Sequence, residues 1–236
     1  MSRSSIYPEP VSRIDFLCLA NSYKAKFEDS RKVHGRCVAG LRMDTMEWVR
    51  LVSDTKGGAL FQAETRLDVG RTIRPLDLVS VELLELLPRA HQQENWLAAP
   101  AWNFQRILPA REAAASIDEA IAHHPELSTK ACAPVRELAP GRTLPRSLTA
   151  VRVDSPSFEC DPDRSRVASP WRCRFSVFGN ECNLSFTDVE LRKRVERDNG
   201  RLKNTKGTWY LTLSLTEPYN GHYYKVVAGA FKISDQ

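Results

Sequence analysis

The 236 residues carry none of the short signatures that announce a reaction. There is no Gly-x-Ser-x-Gly elbow, no phosphate-binding glycine loop and no His-Glu-x-x-His pair, so the common hydrolase, nucleotidase and zinc-protease chemistries have no anchor here. The six cysteines, Cys18, Cys37, Cys132, Cys160, Cys173 and Cys182, include no Cys-x-x-Cys pair, which argues against a zinc knuckle or ribbon. No metal and no cofactor are expected. No apolar run approaches the ~20 residues that cross a bilayer, and Met1 to Pro10 lacks the apolar centre of a signal peptide. A cytoplasmic protein without a membrane partner is the expectation. Its cysteines then stay reduced, with Cys18, Cys37 and Cys173 buried in apolar strand patterns. Cys160 and Cys182 remain as minor redox candidates.

Charge of one sign is also missing. Lys and Arg number 34 against 29 Asp and Glu, a net of +5, which permits a nucleic-acid partner without demanding one.

What the chain does have is alternation. Ile14 to Ala20 reads as a first strand, followed by a polar loop from Tyr23 to Lys32. Ser30 to Gly40 and Trp48 to Ser53 read as two strands joined at Asp44-Thr45. Cys37, Ala39 and Leu41 fall on one face of the first and Val49 and Leu51 on one face of the second, so a register that buries them together leaves Arg36, Arg50 and Trp48 on the opposite face. Val79, Val81 and Leu83 alternate within Pro75–Leu87. Alanines with Ile117 and Ile121 have helical spacing from about Arg111 to His123, and Pro125 stops the helix. Further strands follow at Ser147–Val153, Trp171–Val177, Cys182–Phe186, Thr208–Leu215 and Tyr223–Ile233. Thr187-Asp188-Val189-Glu190 reads as a capping box opening a basic helix that Gly200 ends. Short strands and turns of this kind suit a mainly β protein of two small barrels, with a helical and irregular connector.

The order of Leu19-Ala20-Asn21-Ser22, Gly35-Arg36-Cys37-Val38-Ala39-Gly40, Trp48-Val49-Arg50, His91-Gln92 with Glu94-Asn95-Trp96, and Leu211 to Leu215 with Glu217-Pro218 resembles the prokaryotic dual-OB domain family. The resemblance runs from about Ile14 to about Ile233. It implies two OB-like barrels in tandem, set here at 14–88 and 147–233 with 89–146 as connector, and it carries no catalytic residue.

The expected binding surface is the outer face of the first hairpin. Arg31, Lys32, His34, Arg36 and Arg50 would contact phosphates there, and Trp48 would stack a base. His91, Gln92, Glu94, Asn95 and Trp96 crowd donors and acceptors into six residues. They either read a base edge or stitch the barrels together by buried hydrogen bonds. Three functions stand on this pattern. The first is a non-catalytic nucleic-acid or nucleotide-binding module. The second is a nucleotide- or nucleic-acid-processing enzyme using His91 and Glu94. The third is a protein-interaction module of a larger assembly.

Overall fold

The computed structural model describes residues 10–28, 31–54, 58–123, 130–162 and 169–233, with the backbone alone for 25–28 and 31–34. The first sheet is built from β1 (Ser12–Glu28), β2 (Arg31–Arg42), β3 (Trp48–Val52), β4 (Asp77–Leu86), β5 (Asn95–Ala98) and β6 (Asn103–Ile107). Its order is β1-β2-β3-β5-β4-β6, and β4 also pairs with β1, which closes five strands into a barrel. The helix α1 (Ala110–His123) follows, then the short β7 (Val135–Arg136).

The second half contributes β8 (Leu148–Asp154), β9 (Ser157–Cys160), β10 (Trp171–Val177), β11 (Asn180–Phe186), α2 (Val189–Arg197), β12 (Thr208–Leu215), β13 (His222–Tyr223) and β14 (Lys225–Lys232). Its sheet runs β8-β12-β14-β11-β10-β9. The architecture is mainly β, with two OB-like units in tandem. No helix among the described residues is long and apolar enough to cross a membrane.

Two elements differ from the sequence expectation. Of the polar loop expected at Tyr23–Lys32, the described residues, 23–28 and 31–32, are strand. β1 runs on to Glu28 and pairs with β2 out to Glu28–Arg31. The sequence holds the reason: Tyr23, Ala25 and Phe27 alternate with Lys24, Lys26 and Glu28, the period of a strand despite the lysines. The segment 89–146, expected as connector, contains β5 and β6, and both hydrogen-bond into the first sheet.

Three apolar clusters fill the molecule. Phe16, Cys18, Val38, Val49, Leu51, Val79 and Val81 pack inside the first barrel. Phe158, Cys173, Phe175, Phe186, Trp209, Leu211 and Val227 fill the second unit. Between them, Leu17, Leu19, Ala39, Leu41 and Trp48 pack on Ile117 of α1 and on Leu148, Tyr210 and Phe231. The wall of the first barrel is therefore apolar on both sides, and every residue of β3 is buried.

The units meet where β1 crosses β14. Both strands carry a bulge there, between Cys18 and Ala20 and opposite Thr212–Leu213. The Leu19 carbonyl accepts from the Thr212 hydroxyl at 3.0 Å. Farther along β1, the Tyr23 amide donates to the Thr187 carbonyl at 2.8 Å. Cys132, beyond α1, forms a disulfide with Cys182 of β11, so these two are cross-linked where reduced thiols are the general expectation and Cys182 only a minor redox candidate. Cys18 and Cys173 are buried as expected; Cys37 is only half-buried.

The cap of α2 is Asp188, one residue later than the expected Thr187. Its carboxylate accepts from the Leu191 amide at 2.7 Å and from the Ala230 amide at 3.2 Å, while the Thr187 hydroxyl donates to the Val227 carbonyl. Burial pushes the Asp188 carboxyl up to about 7, against the pull of these amides. The unfolded value is near 3.9. Between the two the native state holds the extra proton, so this contribution to stability is full below the unfolded value and is lost as pH rises through 7. Relative to wild type, Asp188→Asn should therefore gain stability steadily between pH 4 and 8, by a few kcal/mol in all. Urea titrations of both proteins across that range would show it. Parallel curves would mean the carboxyl titrates normally.

Candidate functional site

The hairpin residues do not share a face. β2 and β3 pair Val38 with Leu51, Ala39 with Arg50 and Leu41 with Trp48. Arg50 thus sides with Ala39 and Cys37, and Arg36 sides with Val38. This corrects the expected Arg36–Arg50–Trp48 face. Trp48, 5% exposed, belongs to the apolar layer under α1 and offers no stacking surface. Burial of both sides of the wall removed the inside–outside contrast that sets a register. Arg31, Lys32 and His34 lie on β2, and their side chains fall outside the described residues.

Arg50, 3% exposed, is the centre of a buried polar knot. Its Nη2 lies 3.4 Å from Glu94 Oε1 and donates to Ser147 Oγ at 2.7 Å and Ser214 Oγ at 3.2 Å. Its Nη1 lies 2.6 Å from the Cys37 sulfur. Glu94 accepts from the Ser147 amide at 3.2 Å and from the Ser147 hydroxyl. A strand of the first unit is thereby tied to the start of β8 and to β12 of the second. Beside it, Gln92 Oε1 accepts from Asn95 Nδ2 at 3.4 Å, and half-buried Trp96 packs against the barrel core. His91 does not pair with Glu94. Its ring stacks on Tyr223 at 4.8 Å, and its Nε2 lies 3.4 Å from Glu217. Burial pushes the His91 pKa down, with Glu217 pulling the other way, so the ring is neutral at pH 7.

Arg36 stands apart from this knot. It is 7% exposed, and its Nε and Nη1 have no hydrogen-bond partner among the described residues. Its guanidinium lies 4.3 Å from the centre of the Tyr23 ring. Arg192 of α2 lies 5.1 Å from that ring and 5.2 Å from the Trp171 ring. Arg192 also donates through Nε and Nη2 to the Phe186 carbonyl, and burial pushes its pKa down to about 10, leaving it charged. Arginine and aromatic rings thus alternate along a cleft of about 740 Å³ that separates the two units. Lys193 and Glu196 stand in its wall, Lys193 in contact with Glu190 at 2.7 Å. Three cations, Arg36, Arg192 and Lys193, stand against two carboxylates, Glu196 in the wall and Glu190 on Lys193.

Tyr23, Trp171 and Arg192 were not among the expected binding residues. Tyr23 lay in the supposed loop and Trp171 on the supposed inner face of its strand. Arg192 sat in the basic helix, where the density of arginines was the available signal.

A closed five-stranded barrel packed against a second β unit, with a basic cleft between them, defines a tandem OB-type module. The chain belongs to the dual OB-containing domain family, whose model matches residues 14–230. No curated protein and no solved structure matches it.

Proposed function

We propose that the protein binds nucleotide units, free or within a single strand, in the cleft between its two OB-like units. The observation that carries this reading is Arg36, a buried guanidinium with two unpartnered nitrogens and no ion pair among the described residues. A buried donor left unmatched costs about 1–3 kcal/mol, more when it is charged. An anionic ligand arriving at Arg36 removes that cost. Tyr23 and Trp171 hold Arg36 and Arg192 by cation–π contact, so the donors are preset and little side-chain entropy is lost on binding. The family supports an OB-type module, and such barrels commonly take oligonucleotides.

Binding of short single-stranded oligonucleotides and mononucleotides at two salt concentrations tests the reading. Arg36→Ala should weaken binding at least about tenfold and reduce the salt slope by about one counterion. Trp171→Ala, which removes no charge, should weaken binding and leave the slope unchanged. Equal affinity of a folded Arg36→Ala protein would place the ligand elsewhere.

A further inference from the structure

Beside the cleft lies a second hollow of about 210 Å³ that shares Tyr23, Thr187 and Val226 with it. Pockets for whole ligands begin near ~300 Å³. The smaller hollow therefore suits part of a molecule whose remainder lies in the cleft.

Charge sorts the two parts. Arg36, in the cleft, is an unbalanced buried cation and favours an anion. Arg50, in the wall of the small hollow, is already balanced by Glu94 at 3.4 Å, yet its buried Nε has no hydrogen-bond partner among the described residues. A neutralised guanidinium with an unpaired N–H gains from a neutral acceptor, whereas a second anion would bring an uncompensated charge into a desolvated site. Gln92, Ser214 and Thr216 add polar groups to the same hollow, Lys24 and Glu217 at its rim pair with each other at 3.5 Å and add no net charge, and Leu215 and Val226 add apolar wall. Apolar flanks with a polar edge match a nucleobase, whose rim alternates carbonyl, ring nitrogen and amino groups.

Resting on the reading above, we propose that the small hollow is a nucleobase subsite. One nucleotide unit straddles Tyr23, its phosphate against Arg36 and its base in the hollow, with a neutral base oxygen or nitrogen accepting from Arg50.

Cys37 provides the readout. It is half-buried, lines the small hollow and does not line the cleft. The rate at which a small thiol reagent labels Cys37 in the wild-type protein is followed by mass analysis of the Cys37 peptide. Four probes are compared at saturation: a mixture of the four nucleoside monophosphates, a single-stranded oligonucleotide of about ten residues, ribose 5-phosphate and inorganic phosphate. The nucleoside monophosphates should slow labelling at least about tenfold, and ribose 5-phosphate and phosphate should leave it near the free rate. Protection by the monophosphates identifies a free nucleotide as a sufficient ligand. Protection by the oligonucleotide alone assigns the subsite to a unit within a strand. Arg36-dependent binding of either with Cys37 labelled at the free rate overturns the subsite and leaves the cleft reading standing. Absence of any Arg36-dependent binding overturns both.

Discussion

Glu94→Ala should destabilise the fold by about 3–5 kcal/mol, the range for removing one partner of a buried ion pair. Arg50 would keep its charge, 3% exposed, with the Ser147 and Ser214 hydroxyls and the Cys37 sulfur as its remaining partners among the described residues. The Ser147 amide would lose its carboxylate acceptor as well. Replacing both partners by apolar residues of similar size, Arg50→Met with Glu94→Leu, should recover most of the loss, because no charge is then stranded. Urea unfolding of the three proteins measures this. A loss under 1 kcal/mol in the single variant, or a double variant worse than the single, would contradict the account of the knot.

Gly229→Ala should be at least as damaging. A Cβ at Gly229 would lie 1.9 Å from the Leu19 carbonyl oxygen and 2.8 Å from the Ala20 Cα. Both are backbone atoms of β1, and neither can swing aside as a side-chain tip would. The methyl would separate β14 from β1 where the bulges interlock, and would break the Thr212–Leu19 hydrogen bond. We expect a loss above about 4 kcal/mol, the tail reached only by named disruptions of a core. Gly221→Ala is the control: a Cβ there meets nothing within 4 Å, so it should cost only the strain of its positive φ of 74°. Thermal melts of both variants separate steric exclusion from backbone strain. A Gly229→Ala protein that melts with wild type would show that the units are not pressed together at this crossing.

Much of the fold is legible as period-two alternation. β10 and β12 occupy the residues their patterns mark, and Trp209 is core, as its companions Leu211 and Leu213 indicate. α1 lies where its alanines and isoleucines recur. Register was not legible between β2 and β3, because both sides of the wall are covered and Val38 and Ala39 are equally buried. With no wet side, alternation reports strand but not direction. That single ambiguity displaced the expected site. It placed Arg50 and Trp48 beside Arg36, whereas Arg50 serves the interior knot and Trp48 the layer beneath α1.

The cleft was legible only in fragments. Its residues come chiefly from β1, β2, β10 and α2, far apart in sequence, and the packing of one unit on the other, at the β1–β14 crossing and the Tyr23–Thr187 backbone bond, draws them together. Local pattern contains no term for that crossing. The His91–Trp96 cluster was more readable. Its density of polar groups fits a role in joining the two halves, and Glu94 on Ser147 does this. Gln92 faces the small hollow as well, so the same cluster that supports the fold also lines the proposed ligand surface.

The most direct test of the central claim is photocrosslinking of a bound single-stranded oligonucleotide, with the adducts mapped to peptides. The account predicts adducts on the peptides carrying Tyr23 and Trp171, lost in Arg36→Ala. Adducts confined to the outer faces of the barrels, such as the peptides of Phe104 or Phe178, or adducts unchanged in Arg36→Ala, would contradict it.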